Sequence, residues 1–382
     1  MKMLLHPLLT TMIRGPAKTM RILQINSTKN FGGGERHFVD ICSALKERGY
    51  EVFAVIHPES VWRERLSFLG KNVFSVSVRN SIDIFSALKI ARICKEQKIE
   101  IVHAHSAKDY FPVSLACRIA GISKFFITRH VLFPMSRLQR TALKNVRKAI
   151  AVSESVREIL KETFPDEKIN VIPNGIHIEN WATSDNPDIR KEFFSFHKIP
   201  QNAKIIATLG ELKELKGQQE FILAAKTLAQ EFPEAFFVIV GRDNSLSQGF
   251  RKKLKRLVKV LGLENRFLFL DWVENTADFF QVVDIFVSPS RMESFGLAIL
   301  EAMASGKAIV ATKTKGALEL LQDNSSAKLV PVESPFELAQ AIKFFLLDEK
   351  AQKDFGEMAR KTAAEKFHIE QMIDRIEEVY NG

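Results

Sequence analysis

The residues best suited to chemistry lie in one run, Ser288 to Gly306 (SPSRMESFGLAILEAMASG). An apolar strand-like stretch ends at Ser288, a polar loop carries Glu293, and a helix is expected to open near Phe295–Gly296. A helix start leaves backbone N–H groups unpaired, and its dipole favours an anion such as a diphosphate. Glu301 lies eight residues after Glu293, about one and a half turns into that helix. Carboxylates are useless for holding phosphate. They suit hydrogen bonds from sugar hydroxyls, one set on a ribose and one on a hexose. The spacing alone is equally open to a solvated loop glutamate and a surface helix glutamate.

Three further clusters have chemical potential. Phe31-Gly32-Gly33-Gly34-Glu35 follows the first strand and opens a helix. Its glycines let a backbone come close to a bound group. The run is not GxGxxG, and no acidic residue sits where a dinucleotide ribose needs one, which argues against a dehydrogenase. A turn chosen only for its backbone geometry remains open. His103-Ala104-His105-Ser106 ends another strand, and alternation points His103 and His105 to the same side. Without a nearby third ligand they make a poor metal pair, so no metal is expected. The stretch from Leu209 to Gly217 (LGELKELKG) places Gly210 after a strand and Lys216 before a helix, where an ammonium can meet phosphate charge. An exposed surface lysine is the alternative.

These residues need elements that hold them at sheet edges. Short β-rich runs alternate with amphipathic helical runs throughout, the pattern of a parallel sheet covered on both faces. Strands are expected at Arg21–Asn26, Glu51–His57, Asn72–Val78, Ile99–His103, Phe125–Thr128, Ala149–Val152 and Asn170–Ile172. A second series follows at Lys204–Leu209, Ala235–Val240, Arg266–Leu270, Ile285–Ser288, Ala308–Ala311 and Ala327–Val330. The expected organisation is a leader at 1–19, a first domain at 20–180 and an irregular linker at 181–202 containing Pro187 and Pro200. A second domain at 203–365 and a C-terminal helix at 366–382, returning to the first domain, complete it. Residues 351–380 read as almost uninterrupted helix.

With 382 residues the chain has room for two full cores. Cys42, Cys94 and Cys117 stand alone in apolar helical contexts, as buried thiols of a reducing compartment do. Of the net +10, residues 1–180 carry +12 (28 basic, 16 acidic) and the rest −2. No acidic residue occurs from Phe111 to Ser153, while eight basic ones do. Within it, Leu138, Ala142, Leu143 and Val146 can share a helical face beside basic residues, the composition of an interfacial helix on an anionic leaflet. Packing of that stripe on the domain core is the competing expectation. No helix-turn-helix or aromatic-interleaved RNA motif is present, so no nucleic-acid partner is expected.

The Glu-x7-Glu element within ESFGLAILEAMASGKAIVAT resembles glycosyltransferase family 4. So do Lys315-Gly316-Ala317-Leu318-Glu319 and the turn Val240–Asp243. The resemblance spans the chain from about Arg21 onward. It implies a GT-B fold, two Rossmann-like doubly wound α/β domains with a ligand cleft between them. It also implies a retaining, metal-independent transferase that takes a sugar from a nucleoside-diphosphate sugar. The acceptor would be a glycan or glycolipid of the cell envelope, such as lipopolysaccharide. The enzyme would be cytoplasmic or peripheral on the inner membrane face, with no cofactor beyond its nucleotide-sugar substrate. An epimerase of the same architecture is the alternative. Residue by residue, Glu301 is similar to the ribose ligand, and Glu293 to the donor-sugar ligand beside the Phe295, Gly296 and Leu297 backbone. Lys216 is similar to the diphosphate ligand, and Gly33 and Gly34 to the loop that approaches the phosphates. His105 is similar to the first-domain residue near the transferred sugar, and Trp272-Val273 to the place of the base. His105, Lys216 and Glu293 are the catalytic candidates. One position departs: where the family carries Gly-Arg-Leu, this chain has Gly210-Glu211-Leu212. A carboxylate cannot do a guanidinium's work on a diphosphate. Lys216 with Arg291 or Arg242 would then have to suffice.

Overall fold

The computed structural model describes residues 20–181, 186–273 and 275–382; the expected leader at 1–19 lies outside them. Two parallel sheets carry the fold. The first contains β1 (Arg21–Asn26), β2 (Glu51–Ile56), β3 (Val73–Ser75), β4 (Ile101–Ala104), β5 (Lys124–Arg129), β6 (Lys148–Ala151) and β7 (Ile169–Val171). Its order is β3-β2-β1-β4-β5-β6-β7. The second contains β8 (Lys204–Leu209), β9 (Ala235–Val240), β10 (Phe267–Leu270), β11 (Ile285–Ser288), β12 (Ala308–Thr312) and β13 (Lys328–Val330). Its order is β10-β9-β8-β11-β12-β13. In each sheet the order reverses once, between β1 and β4 and between β8 and β11. In such sheets ligands bind beyond the strand ends at that reversal.

The first-domain helices are α1 (Gly33–Glu47), α2 (Ile84–Glu96), α3 (Tyr110–Ala120), α4 (Arg137–Ala142) and α5 (Glu154–Lys161). Then come α6 (Pro187–His197), α7 (Gln218–Glu231), α8 (Gly249–Val260), α9 (Thr276–Val282), α10 (Leu297–Ala304), α11 (Lys315–Leu320) and α12 (Pro335–Leu347). The chain ends with α13 (Glu349–Lys366) and α14 (Ile369–Asn381).

Three sequence expectations change. The segment 181–202 is not irregular, because it contains α6. Asn186 caps that helix by accepting from the Asp188 N–H, and Pro187 opens it. Proline there forfeits only an N–H that would be orphaned anyway. Trp181 packs on Phe280, and Arg190 pairs with Asp284 at 2.9 Å, so the segment is built onto the second domain. The run 351–380 is two helices broken at Phe367–His368, with His368 capping α14 through its bond to the Glu370 N–H. The apolar stripe near α4 is not an interfacial face. Leu143 and Val146 are buried in the first-domain core. The helix itself runs only six residues before tightening into a 3₁₀ turn.

The break sends the chain back across the molecule. α13 packs on α10 and β12, whereas α14 packs beside α1 on the first sheet. Ile369, Ile373, Ile376 and Tyr380 share one apolar cluster with Phe38, Ile41 and Leu45 of α1. Burying each large aliphatic chain contributes roughly 1.5–3 kcal/mol. Arg48 fixes the outer face through Asp374 (2.6 Å), Glu377 (2.9 Å) and Glu370. At the crossing, Ile176 and the break exchange backbone bonds, Ile176 N–H to Phe367 O and Ile369 N–H to Ile176 O, both 3.0 Å. Gly175 fits there because a Cβ would stand 2.8 Å from the His368 carbonyl oxygen. Gly175→Ala is therefore expected to destabilise the protein by about 1–3 kcal/mol. Thermal unfolding should show a lower first transition, and an unchanged Tm would mean the crossing tolerates a methyl group.

Candidate active site

The second-domain wall is assembled around glycines that admit backbone contacts. Gly217, with φ +67°, ends the turn carrying Lys216; a Cβ there would lie 1.9 Å from the Pro289 oxygen. This contact presses the Lys216 turn against the Ser288–Glu293 loop, and the Arg291 N–H donates to Leu215 O at 2.9 Å. Lys216 runs its stem along Gly210 and pairs its Nζ with Glu293 Oε2 at 2.6 Å. The Ser290 hydroxyl adds a long bond to the same oxygen. Behind the loop, the Gly316 N–H donates to Glu293 O at 3.1 Å, in a place where a Cβ would meet the Phe295 nitrogen at 2.7 Å. Phe295 is buried, and Gly296 takes φ +99° to open α10.

No side chain caps α10, and no acidic residue stands in its first turn. α1 also starts at an uncapped glycine, Gly32, although Glu35 stands in its first turn. The two helix starts face one another across the cleft: a Cβ at Gly33 would come 3.1 Å from Leu297 Cδ1, and one at Gly34 would touch the His130 ring. Two positive dipole ends thus converge near Lys216, a natural place for an anion.

Further along α10, Glu301 is buried and its carboxyl is raised to about 7. Burial is the main cause; Asp40 adds to it and Arg36 opposes it. Arg36 Nη1 approaches Glu301 Oε1 at 3.6 Å and also pairs with Asp40. Arg36 was not among the residues singled out from sequence. Its position just after the glycine turn, facing the cleft, is the signal that could have found it.

The first-domain floor is a cluster of imidazoles. His103 and His105 do lie on one side, their rings 4.2 Å apart. His103 is a core residue with both nitrogens engaged, Nδ1 to the Tyr380 hydroxyl and Nε2 to Thr128 Oγ1, each at 2.7 Å. His105 Nε2 meets Gln24 Oε1 at 2.7 Å, and its Nδ1 has no protein partner. His37 of α1 and His130 beyond β5 join it. Burial lowers all four, His103 to about 3 and His130 to about 4, so the rings are neutral at pH 7. One nitrogen from each of His37, His105 and His130 lies within 4.8 Å of the others. The third ligand that His103 and His105 lack in sequence is thus present in space, because His37 and His130 join His105, while His103 stays outside the group.

At the outer end Trp272 and Val273 are half-buried. Phe31 meets Trp272 edge-on at 5.7 Å, and Arg242 stacks over its ring at 5.6 Å. The Glu211 carboxylate is bound by Lys213 and Asn244 and also feels the Lys216 charge. Despite partial burial, hydrogen bonds from Lys213 and Asn244 hold its carboxyl below its ordinary value. Of the two substitute cations, Arg291 is occupied by Glu220 and Glu333, while Arg242 lies with Trp272. Polar contacts besides the Arg36–Glu301 approach also join the domains. Ser294 Oγ donates to His130 O at 2.6 Å, and the Glu319 carboxylate accepts the Glu154 and Ser155 N–H groups that open α5.

The same two-part organisation appears in known proteins. The model for Glycosyl transferases group 1 matches residues 189–362, and that for Glycosyltransferase Family 4 matches 31–180. The N-acetyl-alpha-D-glucosaminyl L-malate synthase of Bacillus anthracis is 25% identical over 91% of this chain and 93% of its own. The UDP-Gal:alpha-D-GlcNAc-diphosphoundecaprenol alpha-1,3-galactosyltransferase of Escherichia coli is 26% identical over 78% of this chain and 79% of its own. Anabaena Alr3699/HepE, solved with UDP and glucose, superposes with a TM-score of 0.85 at 23% identity, covering 95% of this chain and 99% of that one. That similarity establishes the shared GT-B fold. The epimerase alternative finds no support among these relatives. With both family models in chain order on the two sheets, the protein belongs to glycosyltransferase family 4 and is a glycosyltransferase of the GT-B fold.

Proposed function

We propose that the enzyme transfers a sugar from a nucleoside-diphosphate sugar to a lipid-linked or lipopolysaccharide-core glycan, working at the cytoplasmic face of the membrane. The observation that carries this reading is the convergence of two uncapped helix starts and Lys216 on one spot, with Glu293 and Glu301 to either side. The donor diphosphate lies between the helix starts, where amides and Lys216 offset the charge that grows as the nucleoside diphosphate departs. This needs no metal at the diphosphate and no cofactor. Glu293 accepts from the transferred sugar and Glu301 from the ribose. The base lies by Trp272 and Val273. His105, neutral, faces the transferred sugar. Retention of configuration rests on the family resemblance. Relatives support the acceptor class: one is named for a diphosphoundecaprenol acceptor, another for lipopolysaccharide core biosynthesis. UDP is the first nucleotide to test, since the Anabaena neighbour holds it. Thermal shift with a panel of nucleotide sugars tests the donor. A ligand at about 100 times its Kd adds about 2.7 kcal/mol.

No helix among the described residues is long and apolar enough to cross a membrane. The apolar face for surface association comes from α2, not from the stripe near α4. Of the eight basic residues between Phe111 and Ser153, Arg140 is paired with Glu162, while Arg118, Lys124, Arg129, Arg147 and Lys148 bond backbone carbonyls and keep their charge. On α2, Ile84, Phe85 (80% exposed) and Leu88 present an apolar face beside the exposed Lys89. Each nearby cation adds about 1 kcal/mol at an anionic leaflet.

Three outcomes are expected. Lys216→Ala should lower kcat by about 10²–10³ with a smaller effect on donor affinity, because leaving-group charge grows only in the transition state. An unchanged kcat would leave the amides as sole stabilisers. Donor affinity should rise from pH 6 to 8, since Glu301 titrates near 7 and the ionised carboxylate is the form that accepts from ribose hydroxyls. Titration calorimetry of Glu301→Gln should show that rise abolished. Finally, vesicles containing anionic lipid should sediment the wild type more than Phe85→Ser; equal recovery with neutral vesicles would rule out the membrane reading.

A further inference from the structure

The last turn of α14 reaches into the first-domain floor. Tyr380 is fully buried, its ring 5.0 Å from Phe126, and Lys124 Nζ holds its carbonyl at 3.2 Å. Its hydroxyl sits between two residues far away in sequence. Gln24 Nε2 donates to it at 3.0 Å, and His103 Nδ1 lies 2.7 Å from it. The protons along this chain can be counted. With the Gln24 amide in this orientation the phenol oxygen accepts from it, and the Tyr380 proton is the one available to His103 Nδ1. His103 must then carry its proton on Nε2, which donates to Thr128 Oγ1 at 2.7 Å. In the other direction, Gln24 has its amide nitrogen on Tyr380 and so turns its oxygen toward His105 Nε2, at 2.7 Å. An amide oxygen only accepts, so His105 is protonated on Nε2 and its Nδ1 carries a bare lone pair. That nitrogen is buried, lacks a protein partner and lies in the cluster with His37 and His130. Burial keeps the ring neutral, so the tautomer, and not the charge, decides what it offers.

We infer that Tyr380 and Gln24 are positioning residues that lock His105 as the Nε2–H tautomer and present its Nδ1 as a hydrogen-bond acceptor to the transferred sugar. The functional half of this rests on the reading of His105 given above. It adds a polarity: His105 accepts a hydrogen bond from a sugar hydroxyl and does not donate to a diphosphate oxygen. With Nδ1 protonated instead, the Nε2 lone pair would face the Gln24 oxygen inside the protein. That arrangement requires Gln24 to turn over, with Tyr380 then donating to the Gln24 oxygen and His103 reversing in turn, so the orientation of one buried amide sets the tautomers of both histidines together.

The test uses full-length protein labelled with ¹⁵N-histidine, with His105 signals among the nine histidines assigned by His105→Asn. Two-bond ¹H–¹⁵N spectra report the tautomer. The wild type should show Nε2–H. Gln24→Met, which keeps the side-chain length, and Tyr380→Phe, which keeps the ring, should each shift His105 toward Nδ1–H or a mixture. Turnover at saturating donor should fall about tenfold while donor Kd stays within about twofold. Phe126→Leu loosens the packing around the same ring and serves as the control: it should lower Tm and leave the tautomer alone. A wild-type Nδ1–H signal, or an unaltered tautomer in both relay variants, overturns the inference. So does a tautomer shift in Phe126→Leu equal to that in Tyr380→Phe. Undiminished turnover in His105→Ala would instead overturn the placement of His105 at the sugar, a result separable from the relay because the tautomer is read without activity.

Discussion

The architecture turns on an electrostatic conflict. α1 and α10 point their positive ends at one another across the cleft, closely enough that a Cβ on Gly33 would press on the Leu297 methyl at 3.1 Å. Lys216 adds a full charge nearby, matched by Glu293. Like poles repel, so something must hold the walls together. Glu319 contributes by reaching from the second domain to a third helix start, that of α5, where a carboxylate is welcome. Ser294 and Arg36 add further ties. An anion between the two starts would resolve the conflict directly, and the diphosphate of the proposed donor is such an anion.

The substitution of Glu211 for the family's arginine reads differently in this setting. Lys213 and Asn244 take up the carboxylate's oxygens, and the neighbouring Lys213 ammonium offsets much of the charge that Lys216 also feels. The site keeps one ammonium and two sets of helix amides in place of a guanidinium fork. An ammonium is a point charge without the fork's geometric demand. Donor geometry then depends more heavily on the backbone, and the close glycine contacts at positions 217, 241 and 316 supply that rigidity.

Much of this was legible in the sequence. Strand alternation, the glycine turn and the Glu-x7-Glu element gave both sheets and the loop beside α10, because these signals are local. The helix in 181–202 was missed because Pro187 reads as a breaker, although at the first helical position it costs nothing. The stripe with Leu143 and Val146 was ambiguous because an amphipathic pattern does not say whether its apolar face meets lipid or protein. Tyr380 and Gln24 carried no local signal, and Arg36 carried only its place just after the glycine turn. Tyr380 and Gln24 lie 356 positions apart, and only the crossing at Gly175 brings them together.

That crossing has a consequence for how the protein is made. The first sheet is complete in sequence at Val171, yet its apolar cluster is closed by residues 369–380. During synthesis the second domain emerges and can fold while the first still lacks its last helix. For roughly two hundred residues of elongation, about ten to forty seconds at typical rates, the groove beside α1 exposes Phe38, Ile41 and Leu45 to whatever is at hand. The first domain is begun first and finished last, and the nascent chain carries an unfilled apolar groove through most of its own translation.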